Sequence, residues 1–386
     1  MCRRLGRVSV NDPGWGPVYT IRMARLLFVT GTPPDVRGGS GTFVGISVLR
    51  RALAVQGHDV DLLAPAPGRP LSLAGRLLFN LRARAAVGRM PPAEAVIGFD
   101  LDGLFLRRGG AFRVASLKGV LADEARYERG AARARLWIEA VFERIHVRRV
   151  ERVLATSAHS ASRVVEDYGV AAARVVVVPE AIELERWTDA LRSAQELPRE
   201  VPSLLCVAHL YPRKDVVTLL AAMARLERDA VLRVAGAGPE LPRLRRIARR
   251  LRLGSRVEFL GHVPFARLAA EYRRADVFCL PSRQEGFGIV FLEAMAAGIP
   301  IVAGHAPAVV ELLGNGQYGV LVTPGDAPAL AEALDRLLGD PEERRRLADA
   351  GRRRVQRYDA PRVALEFLDA ISLSSMPLGE PPPRHV

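Results

Sequence analysis

Residues 281–303 read PSRQEGFGIVFLEAMAAGIPIVA, and this stretch carries the pattern that decides the fold. The apolar run before it ends at Pro281 and predicts a strand. Gly286 and Gly288 then predict a tight turn, because glycine adopts backbone conformations that other residues avoid. A helix over 289–297 and a strand over 299–303 follow. Two strands joined by a helical crossover predict a parallel βαβ unit.

The same alternation of strands and helices extends outward from this unit through the whole second half of the chain. It begins again in the first half, where a strand over 26–30 precedes a glycine-rich turn, a helix and a second strand. The sequence therefore predicts an α/β protein with two doubly wound, Rossmann-like domains of parallel sheet. Ligands of such sheets bind at the carboxyl ends of the strands, so we expect the site in a cleft between two facing domains.

Composition shifts set the expected boundaries. Residues 1–22 lack the pattern of a signal peptide, and Met23 directly precedes the first strand, so we interpret 1–22 as a disordered or wrongly assigned extension. The polar stretch 185–201 shows no clear periodicity and is predicted to be a linker. The predicted units are an N-terminal domain at 23–184, a C-terminal domain at 202–358, a helix at 359–371 that returns to the N-terminal domain, and a disordered tail at 372–386.

The charge of the chain favours anionic partners. The formal net charge is +14 and the pI about 10.7, almost all of it from arginine, although a biased genome would give the same composition. Residues 69–90 combine arginines with leucines and predict a basic amphipathic helix, which fits either a membrane surface or packing on its own domain. No apolar run approaches the roughly 18 residues needed to span a bilayer. Cys206 and Cys279 lie in apolar strands, which indicates buried free thiols and a reducing, cytoplasmic compartment.

Two carboxylates flank the predicted start of the 289–297 helix. The first turn of a helix presents free backbone N–H groups and favours a bound phosphate. Glu293 lies on a helix that is otherwise apolar, so its carboxylate needs a partner, which is either a substrate or a neighbouring backbone group. Glu285 lies in the preceding loop. Carboxylates accept hydrogen bonds from the vicinal hydroxyls of sugars and ribose, which indicates a sugar-nucleotide site.

EGFG followed by a second glutamate, eight positions after Glu285, resembles the signature of glycosyltransferase family 4, the glycosyl transferases group 1. Supporting matches are GG at 38–39, GHDV at 57–60, VAGAGPE at 234–240, RVEFLGHVP at 256–264 and GVLVTPGD at 319–326. The resemblance covers residues 25–358. It implies a GT-B fold, in which the N-terminal domain faces the acceptor and the C-terminal domain binds a nucleotide diphosphate sugar, and it implies transfer with retention of configuration.

The resemblance also implies roles for individual residues. Glu285 would hold hydroxyls of the transferred sugar, Glu293 the ribose, and Lys214 the diphosphate. The other donor-binding positions implied by the motifs are Gly39 in the first turn, Gly261, His262 and Val263 beside the base, and Gly286, Phe287, Gly288 and Ile289 along the sugar and diphosphate.

Three positions depart from the family pattern. His209 stands where the family usually has arginine, and we hypothesise that Arg213 supplies the second cation instead. Lys118 stands where a histidine near the transferred sugar is common, and it could donate to a sugar hydroxyl or to phosphate. The PNGID segment of the family reads PEAIE at 179–183, so Glu180 is either a further carboxylate near the cleft or a surface acid.

We therefore expect a hexosyltransferase that uses a UDP-, GDP- or ADP-sugar and a hydroxyl acceptor, which is lipid-linked, a polysaccharide or a small molecule. Same-face transfer is expected, without a cofactor or a metal. Asp100 and Asp102 are spaced like a metal-binding pair but lack supporting motifs. The expected location is cytoplasmic, with an anionic membrane surface as a candidate partner and no nucleic acid. The alternatives are a sugar-nucleotide epimerase or phosphorylase of the same fold, or a non-catalytic binder of anionic surfaces.

Overall fold

The computed structural model describes residues 23–34, 41–68, 71–106, 110–197 and 201–372. They form two parallel sheets of six strands each, and helices cover both faces of each sheet. The N-terminal strands are β1 Arg25–Val29, β2 Asp59–Leu63, β3 Ala95–Phe99, β4 Phe112–Leu117, β5 Arg152–Ala155 and β6 Val175–Val177. The C-terminal strands are β7 Ser203–Val207, β8 Val231–Ala235, β9 Val257–Gly261, β10 Val277–Leu280, β11 Ile301–Gly304 and β12 Val320–Val322.

Fourteen α-helices lie in these ranges, and the crossovers between strands make the sheets parallel. The helices of the first half are α1 Gly41–Val55, α2 Leu73–Val87, α3 Leu121–Glu124, α4 Gly130–Arg149, α5 Ala158–Tyr168 and α6 Leu184–Ser193. Those of the second half are α7 Val216–Met223, α8 Leu241–Arg250, α9 Phe265–Arg274, α10 Ile289–Ala297, α11 Pro307–Leu312, α12 Ala327–Gly339, α13 Pro341–Val355 and α14 Ala360–Ser372. Within the described ranges, none of these helices is long and apolar enough to cross a bilayer.

The strand orders bring the functional loops to one edge of each sheet. The N-terminal order is β2-β1-β3-β4-β5-β6 and the C-terminal order is β12-β11-β10-β7-β8-β9. In the second sheet, β7 to β9 are added toward one edge and β10 to β12 toward the other, so the strand order switches between β7 and β10. Parallel sheets bind ligands in the crevice at the carboxyl ends of the strands at such a switch point. This is the two-domain α/β architecture that the sequence predicted.

Residues 185–201, predicted to be a linker without regular structure, differ from that prediction. They begin inside α6, and Trp187 on this helix packs edge-on against Phe265 at 5.0 Å and Tyr272 at 5.5 Å between ring centroids. Leu184, Trp187 and Leu191 recur at helical spacing on one face, a pattern that the polar residues between them obscured. The chain therefore enters the second domain through a packed helix.

The last described helix, α14, returns to the first domain. Phe367 packs against Phe28 of β1 with 6.1 Å between ring centroids, and the Gln56 side chain donates to the Pro361 carbonyl at 2.8 Å. The chain thus crosses between the domains twice, once before β7 and once after α13.

Two helical segments of the first domain lie beside the cleft. Residues 121–149 form α3, a 3₁₀ turn and α4 rather than one continuous helix, and Gly130 at the start of α4 has a left-handed backbone with φ 55°. Within the stretch 69–90, α2 packs on its own domain through Ala83 and Asn80. Its outer face exposes the apolar side chains of Leu78 and Leu81, so packing on its own domain and contact with a membrane surface are both compatible with this helix.

Candidate active site

A cleft of about 530 Å³ lies between the carboxyl ends of the two sheets. Both domains line it. The first contributes the turn after β1, the ends of β3 and β4 and the start of α2, and the second contributes the loops after β7, β8, β9 and β10. The described residues of the predicted site converge here from loops that are far apart in sequence.

The start of α10 forms the floor of this cleft. Gly288 precedes the helix with φ 93°, and a Cβ atom there would lie 2.5 Å from the ring of Phe291. Among the residues that the structure describes, no side chain caps this end of the helix. Gly288, Ile289 and Val290 line the cleft, so the first-turn amides and the positive end of the helix dipole face the space where a ligand would bind.

Glu285 lies directly beside this helix start and is 6% exposed. The Lys214 ammonium donates to both carboxylate oxygens of Glu285 at 2.6 and 2.7 Å, and the Ser282 hydroxyl donates to one of them at 2.7 Å. Lys214 reaches this position from the short 3₁₀ turn that follows β7. The fold therefore brings the predicted diphosphate cation and the predicted sugar-binding carboxylate into contact.

Glu293 is buried on the wall of the cleft, one turn into α10. The Tyr272 hydroxyl donates to its carboxylate at 2.8 Å, so the partner of this acid is a tyrosine on α9 rather than a backbone group. Burial raises the pKa of Glu293 to about 7, against the lowering effect of the tyrosine hydrogen bond. The carboxyl group can therefore either donate to or accept from a ligand hydroxyl near neutral pH.

Arg213 bridges the two domains. Its guanidinium lies 3.1 Å from the carboxylate of Glu124 and 3.1 Å from that of Glu128, both in the first domain, and stacks over the Tyr211 ring. His209 lines the cleft nearby. Burial and the charges of Arg213 and Lys214 lower the pKa of His209 to about 4, so its imidazole is neutral at physiological pH. Of this pair only Arg213 carries a positive charge.

Lys118 and Glu180 form an ion pair within the first domain. The Lys118 ammonium lies 2.9 Å from one oxygen of Glu180 and 3.0 Å from the other, and both side chains are about nine-tenths buried. Gly45 on α1 leaves room for this pair, since a Cβ atom there would lie 2.2 Å from a Glu180 oxygen. Two of the three departures from the family pattern, Lys118 and Glu180, thus form one ion pair, which sequence reasoning did not detect.

The remaining predicted positions divide into three groups. His262 and Val263 line the cleft beyond β9, and Gly261 ends that strand with φ 66°. The Gly286 carbonyl accepts hydrogen bonds from hydroxyls of the first domain and holds the two domains together; the donors are Thr156, Ser157 and Ser160. Gly39 lies outside the described residues.

The sequence suggested Asp100 and Asp102 only as a weak metal-binding pair, whereas in the structure both pair with Arg76 in a polar wall of the first domain. Asp102 is buried and accepts from the Gly31 amide and the Arg76 guanidinium, which fixes the turn after β1. Asp100 lines the cleft with φ 55°, and burial raises its pKa to about 6. The positive φ of an aspartate at a strand end was not visible in the sequence. Among the described residues no cluster of three or more candidate metal ligands occurs.

A family model for the glycosyl transferases group 1 matches residues 188–354. The glycogen synthase of Mycobacterium tuberculosis is 30% identical to this chain over 86% of the chain and 90% of the relative. The chain belongs to the glycosyl transferases group 1 family. A GDP-mannose-dependent alpha-(1-6)-phosphatidylinositol monomannoside mannosyltransferase of the same organism is also 30% identical, over 86% of this glycosyltransferase and 93% of that protein.

Solved structures agree with the fold of this glycosyltransferase. Sucrose-phosphate synthase from Thermosynechococcus elongatus aligns with a TM-score of 0.74 and 22% identity, covering 90% of this chain and 98% of that one. Anabaena Alr3699/HepE, in a complex with UDP and glucose, aligns with a TM-score of 0.69 and 19% identity, covering 90% and 99%. The predicted GT-B fold and the predicted membership of the family are confirmed. The donor, the acceptor and the roles of single residues stay predictions.

Proposed function

We propose that this glycosyltransferase moves a hexosyl group from a UDP-, GDP- or ADP-sugar to a hydroxyl acceptor, with retention of configuration. The observation that carries the proposal is the contact of Lys214 with Glu285 beside the open start of α10, inside a cleft between two domains. A cation and helix amides suit a diphosphate, and a carboxylate suits sugar hydroxyls. One site therefore matches both halves of a nucleotide sugar.

In this proposal the diphosphate binds between Lys214 and the amides of Phe287, Gly288 and Ile289. Arg213 is the second cation, because His209 is neutral and cannot replace the arginine that the family usually has. The carboxylates that pair with Arg213 belong to the first domain. The Arg213 side chain therefore takes part both in donor binding and in the contact between the domains. Closure of the two domains excludes water from the transferred group.

The sugar and the nucleoside occupy the two sides of α10. Glu285 accepts hydrogen bonds from sugar hydroxyls, and Lys118 donates to a hydroxyl from the opposite domain. Glu293 binds the ribose hydroxyls. The base lies against the loop of Gly261, His262 and Val263, and the family resemblance assigns Gly39 to the phosphates.

The transfer step breaks the bond between the anomeric carbon and the diphosphate oxygen, and the diphosphate leaves with the electron pair. The acceptor oxygen attacks the anomeric carbon from the same face, and its proton passes to an oxygen of the leaving phosphate. Lys214 and the α10 amides stabilise the charge that develops there. We propose that no metal is needed, since these groups supply the positive charge. We also propose a cytoplasmic location, because Cys206 and Cys279 are buried free thiols.

The proposal is tested by a thermal-shift screen of the purified chain against UDP-, GDP- and ADP-sugars, because a bound ligand raises the midpoint of unfolding. The donor that binds is then incubated with candidate acceptors, and the anomeric configuration of the product is read by NMR. We expect a product of retained configuration, formed equally well with EDTA present. An inverted product, or an epimerised donor formed without an acceptor, would refute the proposal.

A further inference from the structure

The longest helix of the first domain, α4, is apolar on the side that faces away from the protein. Trp137, Ile138 and Val141 are 40%, 50% and 56% exposed. Ala134 is exposed before them and Ile145 is half-buried after them, so apolar residues recur at positions i, i+3, i+4, i+7 and i+11. This spacing forms one continuous stripe, which we call the α4 face. Water-exposed apolar stripes of this kind mark interaction sites.

Arginines border the α4 face, while the acids of the helix point inward. Arg133 and Arg144 are exposed and, within the part of the chain that the structure describes, neither forms an ion pair. Glu139 and Glu143 are buried; the first pairs with Arg135 and the second accepts from the Tyr168 hydroxyl. The helix therefore presents apolar side chains and positive charge without a negative charge of its own.

The α4 face adjoins the acceptor side of the cleft. Arg135, on the same helix, lines the cleft and donates to the Leu71 carbonyl just before α2 at 3.3 Å. The neighbouring α2 exposes Leu78 and Leu81 on its outer side. A surface that covered the α4 face would thus lie next to the opening through which an acceptor enters.

We infer that the α4 face docks on an anionic lipid bilayer, with its apolar stripe at the boundary between headgroups and acyl chains and its arginines among acidic headgroups. A helix with an apolar face and a basic border binds membrane interfaces in this manner. The missing acids favour lipid phosphates over a second copy of this chain, whose own α4 face is equally positive. The inference adds a partner to the proposed function without depending on it, because docking requires no sugar transfer.

The test uses the full chain with vesicles of phosphatidylcholine alone and of phosphatidylcholine mixed with phosphatidylglycerol. We expect co-sedimentation with the mixed vesicles, much weaker binding to the neutral ones, and a blue shift of tryptophan emission. The chain has two other tryptophans, Trp15 and Trp187. Trp187 is buried, and the emission experiment uses a Trp15→Phe background, so the further change Trp137→Phe is expected to abolish the shift. No binding to the mixed vesicles, or a shift that persists in Trp137→Phe, overturns the inference.

Paired variants separate the two components of docking. Arg133→Gln/Arg144→Gln is expected to lower the vesicle partition coefficient roughly 20- to 30-fold, at about fivefold per arginine. Ile138→Ser/Val141→Ser is expected to lower it about tenfold, and both positions are exposed, so the fold is retained.

The matched charge control is Arg245→Gln/Arg249→Gln on α8. These are two exposed arginines of the second domain, and in the described part of the chain they border no exposed apolar stripe. Wild-type partition is expected for this control. An equal loss of vesicle partition in the control would show that net charge alone accounts for the binding, and this result would overturn the inference. Wild-type partition in both α4 variants, or a dimer that dissociates in Ile138→Ser/Val141→Ser, would also overturn it. Donor binding in the thermal-shift screen stays unchanged throughout, which keeps this outcome separate from that of the proposed function.

Discussion

Replacing Glu293 by glutamine is expected to change how the stability of the protein depends on pH. Burial raises the pKa of Glu293 from 4.5 to about 7 in the folded state, so the folded protein holds a proton there that the unfolded chain releases. The wild-type free energy of unfolding therefore falls as the pH rises from the unfolded to the folded pKa. At about 1.36 kcal/mol per pKa unit, the whole shift corresponds to about 3 kcal/mol.

Glu293→Gln keeps the acceptor for the Tyr272 hydroxyl but carries no titrating group. The free energy of unfolding is measured in urea at about pH 5 and about pH 8. Between these two values that of the wild type is expected to fall by about 2 to 3 kcal/mol more than that of Glu293→Gln. Glu332→Gln on the exposed side of α12 is the matched control and is expected to follow the wild type. Parallel pH profiles for Glu293→Gln and the wild type would refute the assignment of a buried, protonated carboxyl group.

Three further outcomes follow from the cleft. Lys118→Met and Glu180→Gln are each expected to lower the free energy of unfolding, measured in urea, by about 3 to 5 kcal/mol, because each leaves one buried charge unpaired. The double variant is expected to lose less than the sum of the two. Additive losses would contradict a direct ion pair. Gly288→Ala is expected to lose about 1 to 3 kcal/mol and to raise the donor KM, since its φ of 93° and the adjacent phenylalanine ring exclude a side chain; wild-type stability would contradict this. Arg213→Ala is expected to lower kcat while His209→Ala leaves it nearly unchanged, and steady-state kinetics showing the reverse would exclude Arg213 as the second cation.

Much of the fold could be predicted because its strands and helices produce hydrophobic patterns within short stretches of the sequence. Strands such as β1 and β8 are short, mostly apolar runs, and Gly31 and Gly236 mark the turns that follow them. The start of α10 and the carboxylates around it could be located for the same reason, since EGFG and the second glutamate lie within nine residues. Lys214 was identified through its position after β7, and the fold brings it to Glu285 from 71 residues away.

The rest depends on contacts between distant residues, which a single sequence does not display. Lys118 and Glu180 are 62 residues apart, and each looked like an isolated departure from the family pattern until the fold paired them. The partner of Glu293 is likewise a tyrosine on another helix.

The α4 face was hidden for a different reason. Apolar residues on the inner and outer sides of α4 follow the same helical period, so the sequence alone does not tell which side is buried. Only the packing of the helix against its own domain identifies Trp137 and its neighbours as the outer side.

The most direct measurement of the proposed chemistry is the kcat of Glu285→Gln with the donor identified by the thermal-shift screen. Because Glu285 contacts Lys214 and is the residue proposed to hold the transferred sugar, its loss is expected to lower kcat about 100-fold or more, with circular dichroism unchanged. Glu332→Gln again serves as the control and is expected to turn over at the wild-type rate. A folded Glu285→Gln variant that retains near wild-type turnover would contradict the assignment of this cleft as the site of glycosyl transfer.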